Sequence, residues 1–334
     1  MRIGDLNLST EWEFLVKQGK FTRKHKDENI DIEYGVSPTS DGGYGFFVSG
    51  KEKGQNVTED HFIQEKDEGI FRKQFNRLRK LRPGGQDRKP GRQDDLPAGV
   101  EKCGFYCQDP ANPLSLLVRP LLGTLASQGS IPLHFSWNIY PNLAPFEPGG
   151  HFLLLPSATF PELPHFPQLF TPFLVEDFLN LCQASEQLVV FFNSRHAGAT
   201  QDHLHLQAVF HASELPIEKA EQKPHGTGSL RRIGGNYPLN ALVYTVKDRE
   251  VCCQHIMKLQ TKSIPFNLVF LKGNLFLVPR DINNEIVSEF TNVLASMEIS
   301  GKFIISDREA FGKASEERIR VALGRIGLAL EDIT

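Results

Sequence analysis

The chain has 334 residues, 40% hydrophobic and 23% charged, with a formal net charge of −3. That balance describes a globular protein of one large or two small domains, able to bury a sizeable core, and gives no general basis for binding nucleic acid or an anionic membrane. No apolar run is long enough to span a bilayer, and Met1-Arg2-Ile3-Gly4-Asp5 opens no apolar signal segment, so a cytoplasmic location is expected. Five cysteines, with Cys252 and Cys253 adjacent, do not form a disulfide framework for a chain of this size.

In chain order, Gly42-Gly43-Tyr44-Gly45-Phe46-Phe47-Val48 predicts a turn into a short strand. Residues 58–81 read as partly helical and lead into a basic run, Arg77 to Arg82. Pro83-Gly84-Gly85 opens a polar stretch to Gly99, read as a mobile basic loop (82–99) within an N-terminal extension, residues 1–100. Beyond Cys103 the pattern sharpens. Ser136 to Tyr140 is a candidate strand, and a turn-rich connection from Asn142 to Gly150 leads to a buried strand, His151 to Leu155, stopped by Pro156. Thr171-Pro172 has the form of a helix start, with Leu174, Phe178 and Leu181 on its buried face. Leu188 to Phe192 is a buried strand ending at Asn193.

The C-terminal third reads as a second copy of this order. Asn267 to Leu271, the turn Lys272-Gly273-Asn274 and Leu275 to Val278 predict a hairpin stopped by Pro279. A helix from about Ile282 is expected, with Ile286, Phe290, Val293 and Met297 at helical spacing. A strand at Lys302 to Ser306 and a final helix carrying Ile319, Leu323, Ile326 and Leu330 follow. The repeat matches the buried strand ending at Pro156 with the one ending at Pro279, and the join lies in the polar stretch 213–235.

Thr200-Gln201-Asp202-His203-Leu204-His205-Leu206-Gln207 carries the chemistry. Read as a strand, it puts His203, His205 and Gln207 on one face and Leu204, Leu206 and Ala208 on the other. A lone His-x-His is more often the polar face of an edge strand. Here Asn193, Gly198 and Thr200 stand just upstream, so two imidazoles, an amide and a hydroxyl converge beside a glycine turn. That is a plausible phosphate site containing a nucleophile. A neutral imidazole attacks phosphorus when its other nitrogen is held by an acceptor, and Gln207 donates without adding charge.

Phe191-Phe192-Asn193 followed by Gly198-Ala199-Thr200-Gln201-Asp202-His203-Leu204-His205-Leu206-Gln207 resembles the active-site strand of the histidine-triad nucleotidyltransferases. The most similar branch is the diadenosine tetraphosphate phosphorylases (ATP adenylyltransferases). Galactose-1-phosphate uridylyltransferase and the GDP-hexose phosphorylases are related branches, and the Asn193-to-His203 spacing is nearer the latter. Pro265-Phe266-Asn267-Leu268-Val269, Leu277-Val278-Pro279-Arg280, Asn138 and the Pro148–Pro156 strand extend the likeness over residues 103–280.

The resemblance implies an α+β protein of two histidine-triad-like (HIT-like) halves, antiparallel sheets with flanking helices. The halves are a catalytic one (101–212) and a degenerate one (236–334), joined by a linker (213–235). It implies His205 as the nucleophile, preceded by His203, with Gln207 on the phosphate of the intermediate. Asn193, Gly198, Thr200 and Gln201 match positions around the substrate phosphates. Arg195 and His196 are further candidate donors in that loop.

The expected partners are a nucleotide or sugar-nucleotide substrate and a phosphate-type acceptor. The expected reaction is phosphorolysis of a dinucleoside polyphosphate through nucleotidyl-His205. The alternatives are a sugar-nucleotide phosphorylase or hexose-1-phosphate uridylyltransferase, and a catalytically silent nucleotide-binding protein. Cys103 and Cys107 stand where related proteins bind zinc, with the first motif histidine as a further ligand, although Cys-x3-Cys departs from the usual spacing and His165 comes late in the sequence. His151, His165, His211 and His225 are expected to be surface or hydrogen-bonded histidines, and Cys182 a core residue.

Overall fold

The computed structural model describes residues 7–81, 103, 105, 111, 119–126, 132–157, 165–183, 187–210, 213–226, 228–284, 286–287, 290 and 292–332. The polar stretch 82–99, Cys107 and His211 lie outside the described residues.

The N-terminal region begins with helix α1 (Leu8–Lys17), capped by Asn7 and buried through Trp12, Leu15 and Val16. A four-stranded antiparallel sheet follows, made of β1 (Arg23–Lys26), β2 (Ile30–Pro38), β3 (Tyr44–Glu52) and β4 (Gln55–Asn56). Residues 58–81 form the hairpin β5 (Ile63–Glu68) and β6 (Phe71–Asn76), with a 3-10 turn (Glu59–His61) before it and the short α2 (Leu78–Leu81) after it. Helix is confined to these two ends because a distant partner decides the backbone between them. β6 pairs in parallel with a strand 230 positions further on, Phe303 lying opposite Lys73.

The central sheet has ten strands among the described residues. Its first half holds β7 (Gly123–Leu125), β8 (Ser136–Pro141), β9 (His151–Ser157), helix α3 (Pro172–Gln183), β10 (Leu188–Asn193) and β11 (Leu206–Phe210). Its second half holds β12 (Glu221–Pro224), β13 (Arg231–Gly234), β14 (Leu242–Tyr244), helix α4 (Arg249–Thr261), β15 (Phe266–Leu271) and β16 (Asn274–Pro279). The 213–235 stretch, read as a linker, therefore supplies the edge strand of the sheet and its neighbour, whose ladder satisfies their facing backbone groups.

Beyond β16 come the short strands β17 (Ile286–Val287) and β18 (Asn292–Val293), helix α5 (Ser296–Ile299), strand β19 (Lys302–Ile305), and helices α6 (Arg308–Lys313) and α7 (Glu316–Ile326). The described residues from Ile282 do not form the long helix expected there: they give a 3-10 turn (Ile282–Asn284) and the strands β17 and β18, with Phe290, Leu294 and Met297 in the buried core. The final helix is as expected, with Ile319, Leu323 and Ile326 buried.

The strand order β12-β13-β14-β16-β15-β10-β11-β9-β8-β7 is a palindrome of two like units. The units meet at β10 and β15, where Phe191 pairs with Val269 and Asn193 with Asn267. The repeat thus differs in register from the sequence reading. α4-β15-β16 corresponds to α3-β10-β11, so the strand ending at Pro279 matches the Gln207 strand and not the strand ending at Pro156. Gln207 pairs with Phe191 and Leu153, as Phe276 pairs with Val269 and Val243. Counting back from that match, Asn274 stands at the place of His205 and Lys272 at the place of His203. Phe276 and Val243 lie in one buried cluster with Leu215 and Ile217, and Lys272 is paired with Glu218 at 2.8 Å. The second half carries no histidine of the motif and packs that face with side chains.

The two faces of the central sheet are covered differently. Val190, Phe192, Leu206, Ala208 and Leu268 join one core with α1, α3 and α4. On the other face, Val189, Phe191, Val209 and Val269 join a core with α7 and β19. The outer strands of that second face carry a smaller cluster of Cys103, Phe105, Tyr140, Leu153 and Leu155. Strand alternation places Gln207 beside this cluster, opposite Leu153.

Candidate active site

The motif does not form one continuous strand. Regular pairing starts at Leu206, and the backbone of 203–205 is bonded elsewhere. Leu204 N–H donates to Phe166 O at 2.7 Å, and His205 N–H donates to the Gln168 side-chain oxygen at 3.0 Å. Gln168 is fully buried and returns its Nε2 to Asn193 O at 2.8 Å and His205 O at 3.4 Å. One carboxamide therefore holds both sides of the His205 peptide. Gln168 carries no signal in the sequence, since it sits in a proline-rich segment with no periodicity.

His205 is buried, and its Nδ1 lies 2.7 Å from His203 O. A carbonyl can only accept, so Nδ1 carries the proton and Nε2 keeps the lone pair. That is the tautomer an imidazole needs to attack phosphorus. The Phe105 ring meets His205 edge to face at 5.0 Å and supplies an apolar wall.

Gln207 Oε1 lies 2.9 Å from His151 Nε2, and the His151 ring lies 4.3 Å from that of Phe146. The same His151 Nε2 also lies 3.1 Å from Asn142 Nδ2; taken as the protonated nitrogen, it donates to the Gln207 oxygen, and the Gln207 NH2 stands outside that bond. His151 is 1% exposed, so it is an interior histidine with a defined partner in the site.

The proposed phosphate-binding positions are placed as follows. Asn193 is buried, and its Oδ1 accepts from Asn267 Nδ2 at 2.7 Å, Ser296 N at 3.0 Å and Ser296 Oγ at 2.6 Å. Its side-chain oxygen thus joins the two halves. Asn138, on the β8–β9 hairpin, accepts from the Thr124 hydroxyl at 2.7 Å. Thr200 is exposed and Gln201 buried. Arg195 Nε donates to Asp202 at 3.0 Å, and Asp202 also accepts from Gln168 N at 3.0 Å. Burial pushes the Asp202 carboxyl up, but Arg195 and the Gln168 amide outweigh it and hold the group below the ordinary carboxylate range.

Gly198 has φ +95°, and a Cβ there would stand 2.7 Å from Ala295 Cβ. The glycine is required by close packing of the loop against the second half, a contact the sequence could not show. Gly198→Val is expected to lower Tm by several degrees and reduce activity with it, because strain and overpacking each cost about 1–3 kcal/mol. An unchanged melting curve would show that the loop has room to move.

Beside His205, the residues Cys103, His165 and His203 bring one ligand atom each within 4.8 Å of one another. Cys103 Sγ is 3.3 Å from His203 Nδ1, and the His165 and His203 rings are 4.8 Å apart. His203 is fully buried, and its Nε2 has no hydrogen-bond partner among the described residues. A thiolate with two imidazoles supplies three of the four donors of a structural zinc site, so these residues fit that part of one. His165, expected to be a surface or hydrogen-bonded histidine, belongs to this cluster.

The α+β fold with its antiparallel sheets is the one implied by the motif's resemblance to the histidine-triad-like nucleotidyltransferases. Residues 234–332 match the family described as "GDPGP1-like, C-terminal domain". Two curated proteins of Arabidopsis thaliana are similar to the chain. GDP-L-galactose phosphorylase 2 is 31% identical over 218 residues, covering 57% of this chain and 48% of that protein. GDP-L-galactose phosphorylase 1 is 29% identical over 217 residues, covering 57% and 46%. The chain therefore spans about half the length of the curated relatives it matches. Among solved structures, yeast Ap4A phosphorylase Apa2 in complex with AMP superposes with a TM-score of 0.56 at 14% identity, covering 98% of this chain and 99% of that one. The same enzyme in complex with Ap4A gives 0.52 at 15% identity, covering 80% and 89%. At such identities the likeness is one of fold.

Proposed function

We propose that the chain is a phosphorylase acting on a GDP-hexose through a guanylyl-His205 intermediate. His205 Nε2 attacks the α-phosphorus, the bond from that phosphorus to the hexose 1-phosphate oxygen breaks, and hexose 1-phosphate leaves. Inorganic phosphate then attacks the same phosphorus, releasing GDP and restoring His205. The single observation that carries the chemistry is the 2.7 Å bond from His205 Nδ1 to His203 O, which fixes the nucleophilic tautomer. Gln207 supplies a neutral donor to the equatorial oxygens, and Phe105 and the buried surroundings keep the donors strong.

The choice of a GDP-hexose over a dinucleoside polyphosphate rests on sequence. The relatives similar in sequence are GDP-L-galactose phosphorylases, whereas the Ap4A phosphorylase shares the fold alone. A panel of GDP-, UDP- and ADP-hexoses and diadenosine tetraphosphate, each with and without phosphate, tests the reading. The expected result is GDP and hexose 1-phosphate, formed only when phosphate is present. Phosphate-dependent ATP and ADP from diadenosine tetraphosphate would return the substrate to the first expectation. GMP formed at full rate without phosphate would make the protein a hydrolase.

Zinc held by Cys103, His165 and His203 belongs to this reading, with a structural role that fixes the His203 end of the motif. Atomic spectrometry of the purified protein should give about one zinc per chain. Cys103→Ala should lower that content and Tm together. Metal-free protein with an unchanged melting curve would remove zinc from the account.

A further inference from the structure

The turn joining β8 to β9, residues 142–150, delivers His151 to Gln207. Its carbonyls are gripped in series by side chains remote in sequence. Arg23 Nη2 donates to Leu143 O at 3.1 Å, and Arg79 Nη1 donates to Ala144 O at 3.4 Å. Gln74 Nε2 donates to Phe146 O at 3.2 Å, and Trp12 Nε1 donates to Pro148 O at 2.9 Å. Between the last two, the Glu147 carboxylate pairs with Lys302, which also meets Glu65 at 3.0 Å. Burial pulls the Lys302 ammonium down, but its two carboxylates reverse this and hold it above its ordinary value.

Turn carbonyls ordinarily take water, and such turns move more than the strands they join. Here four carbonyls within six residues are taken by side chains from one segment, residues 12–79. Trp12 is fully buried and Gln74 is 1% exposed, so water does not compete there. Between the two lies Phe146, whose ring rests against His151 and carries the Arg79 guanidinium 5.7 Å from its centre. The path from clamp to chemistry is short: Gln74 and Arg79 hold Phe146, Phe146 packs on His151, and His151 holds the Gln207 oxygen.

We infer that the N-terminal segment is a clamp on the active-site turn, in which Arg23, Gln74 and Arg79 are positioning residues for Gln207. This rests on the proposed transfer at His205, since it is the Gln207 amide whose aim matters. A displacement of about 1 Å at a reacting group can cost about a hundredfold in rate. The clamp also gives residues 7–81 a task that their sequence does not announce.

The test is the double variant Arg23→Met, Arg79→Met in the full chain, with the milder single variant Arg79→Met beside it. Three quantities are read: kcat and KM for GDP-hexose phosphorolysis, Tm, and hydrogen exchange of the amides of residues 142–151. The double variant should lose roughly ten- to a hundredfold in kcat at little change in KM. Exchange over 142–151 should rise while β10 and β15 stay protected. Arg23→Lys, Arg79→Lys should restore most of the rate, and Arg79→Met alone should shift in the same direction by less. A fall in Tm with kcat and turn exchange both at the wild-type level would overturn the clamp. If the wild-type protein turns over no nucleotide with any acceptor, the functional reading fails by itself. The exchange measurement still decides the clamp in that case, because unchanged protection of the turn in either variant refutes it.

Discussion

Replacing His205 by alanine should abolish phosphorolysis, with a loss of at least about 10⁴-fold, while the protein still folds. The size follows from covalent catalysis: without the imidazole no intermediate forms, and phosphate would have to displace hexose 1-phosphate directly between two anions. Folding should survive because the backbone bonds of residue 205, to both ends of the Gln168 side chain, do not depend on its ring. The side-chain bond to His203 O is lost, at a typical cost of about 1 kcal/mol. Circular dichroism and a melting curve should match the parent closely, with steady-state turnover at background. Turnover within tenfold of wild type would remove His205 from the chemistry.

The second large effect is expected at Gln207. With His151 Nε2 as the donor, its oxygen is engaged and the amide nitrogen is the part left for the ligand. A donor aimed at charge that develops in the transition state is worth about 3 kcal/mol, so Gln207→Ala should lower kcat by roughly a hundredfold or more and leave KM nearly unchanged. Gln207→Glu keeps the shape but removes the donor and adds a negative charge facing the phosphate, so it should be worse than alanine. If alanine costs less than about threefold, or if the loss falls in KM alone, Gln207 is only a neighbour of His151.

The motif region was legible because its chemistry is local. His203, His205 and Gln207 could be aligned from a period of two, although the strand itself begins only at Leu206. The β9 strand, α3, β10 and the β15–β16 hairpin were legible for the same reason, since apolar runs bounded by proline, glycine or a capping residue define them. The expectations that failed depended on partners far away in sequence. β6 is a strand because β19 lies beside it, and the outer strands β12 and β13 look like linker until the sheet claims them. The repeat was placed out of register because Pro156 and Pro279 end similar apolar strands, whereas the pairing of Phe191 with Val269 sets the true correspondence. Gln168 and the turn-gripping side chains carry no periodic signal, since each acts on a backbone group that any sequence would present.

The central claim is a nucleotidyl group on His205 Nε2. The most direct measurement is to mix the protein with a GDP-hexose in phosphate-free buffer, quench at alkaline pH, where a phosphoramidate survives, and locate any added guanylyl group by peptide mass spectrometry. An acid-labile guanylyl adduct on His205 is expected, discharged as GDP when phosphate is added and absent from His205→Ala. An adduct on His203, or turnover with no adduct on the chain at any time during the reaction, would contradict it.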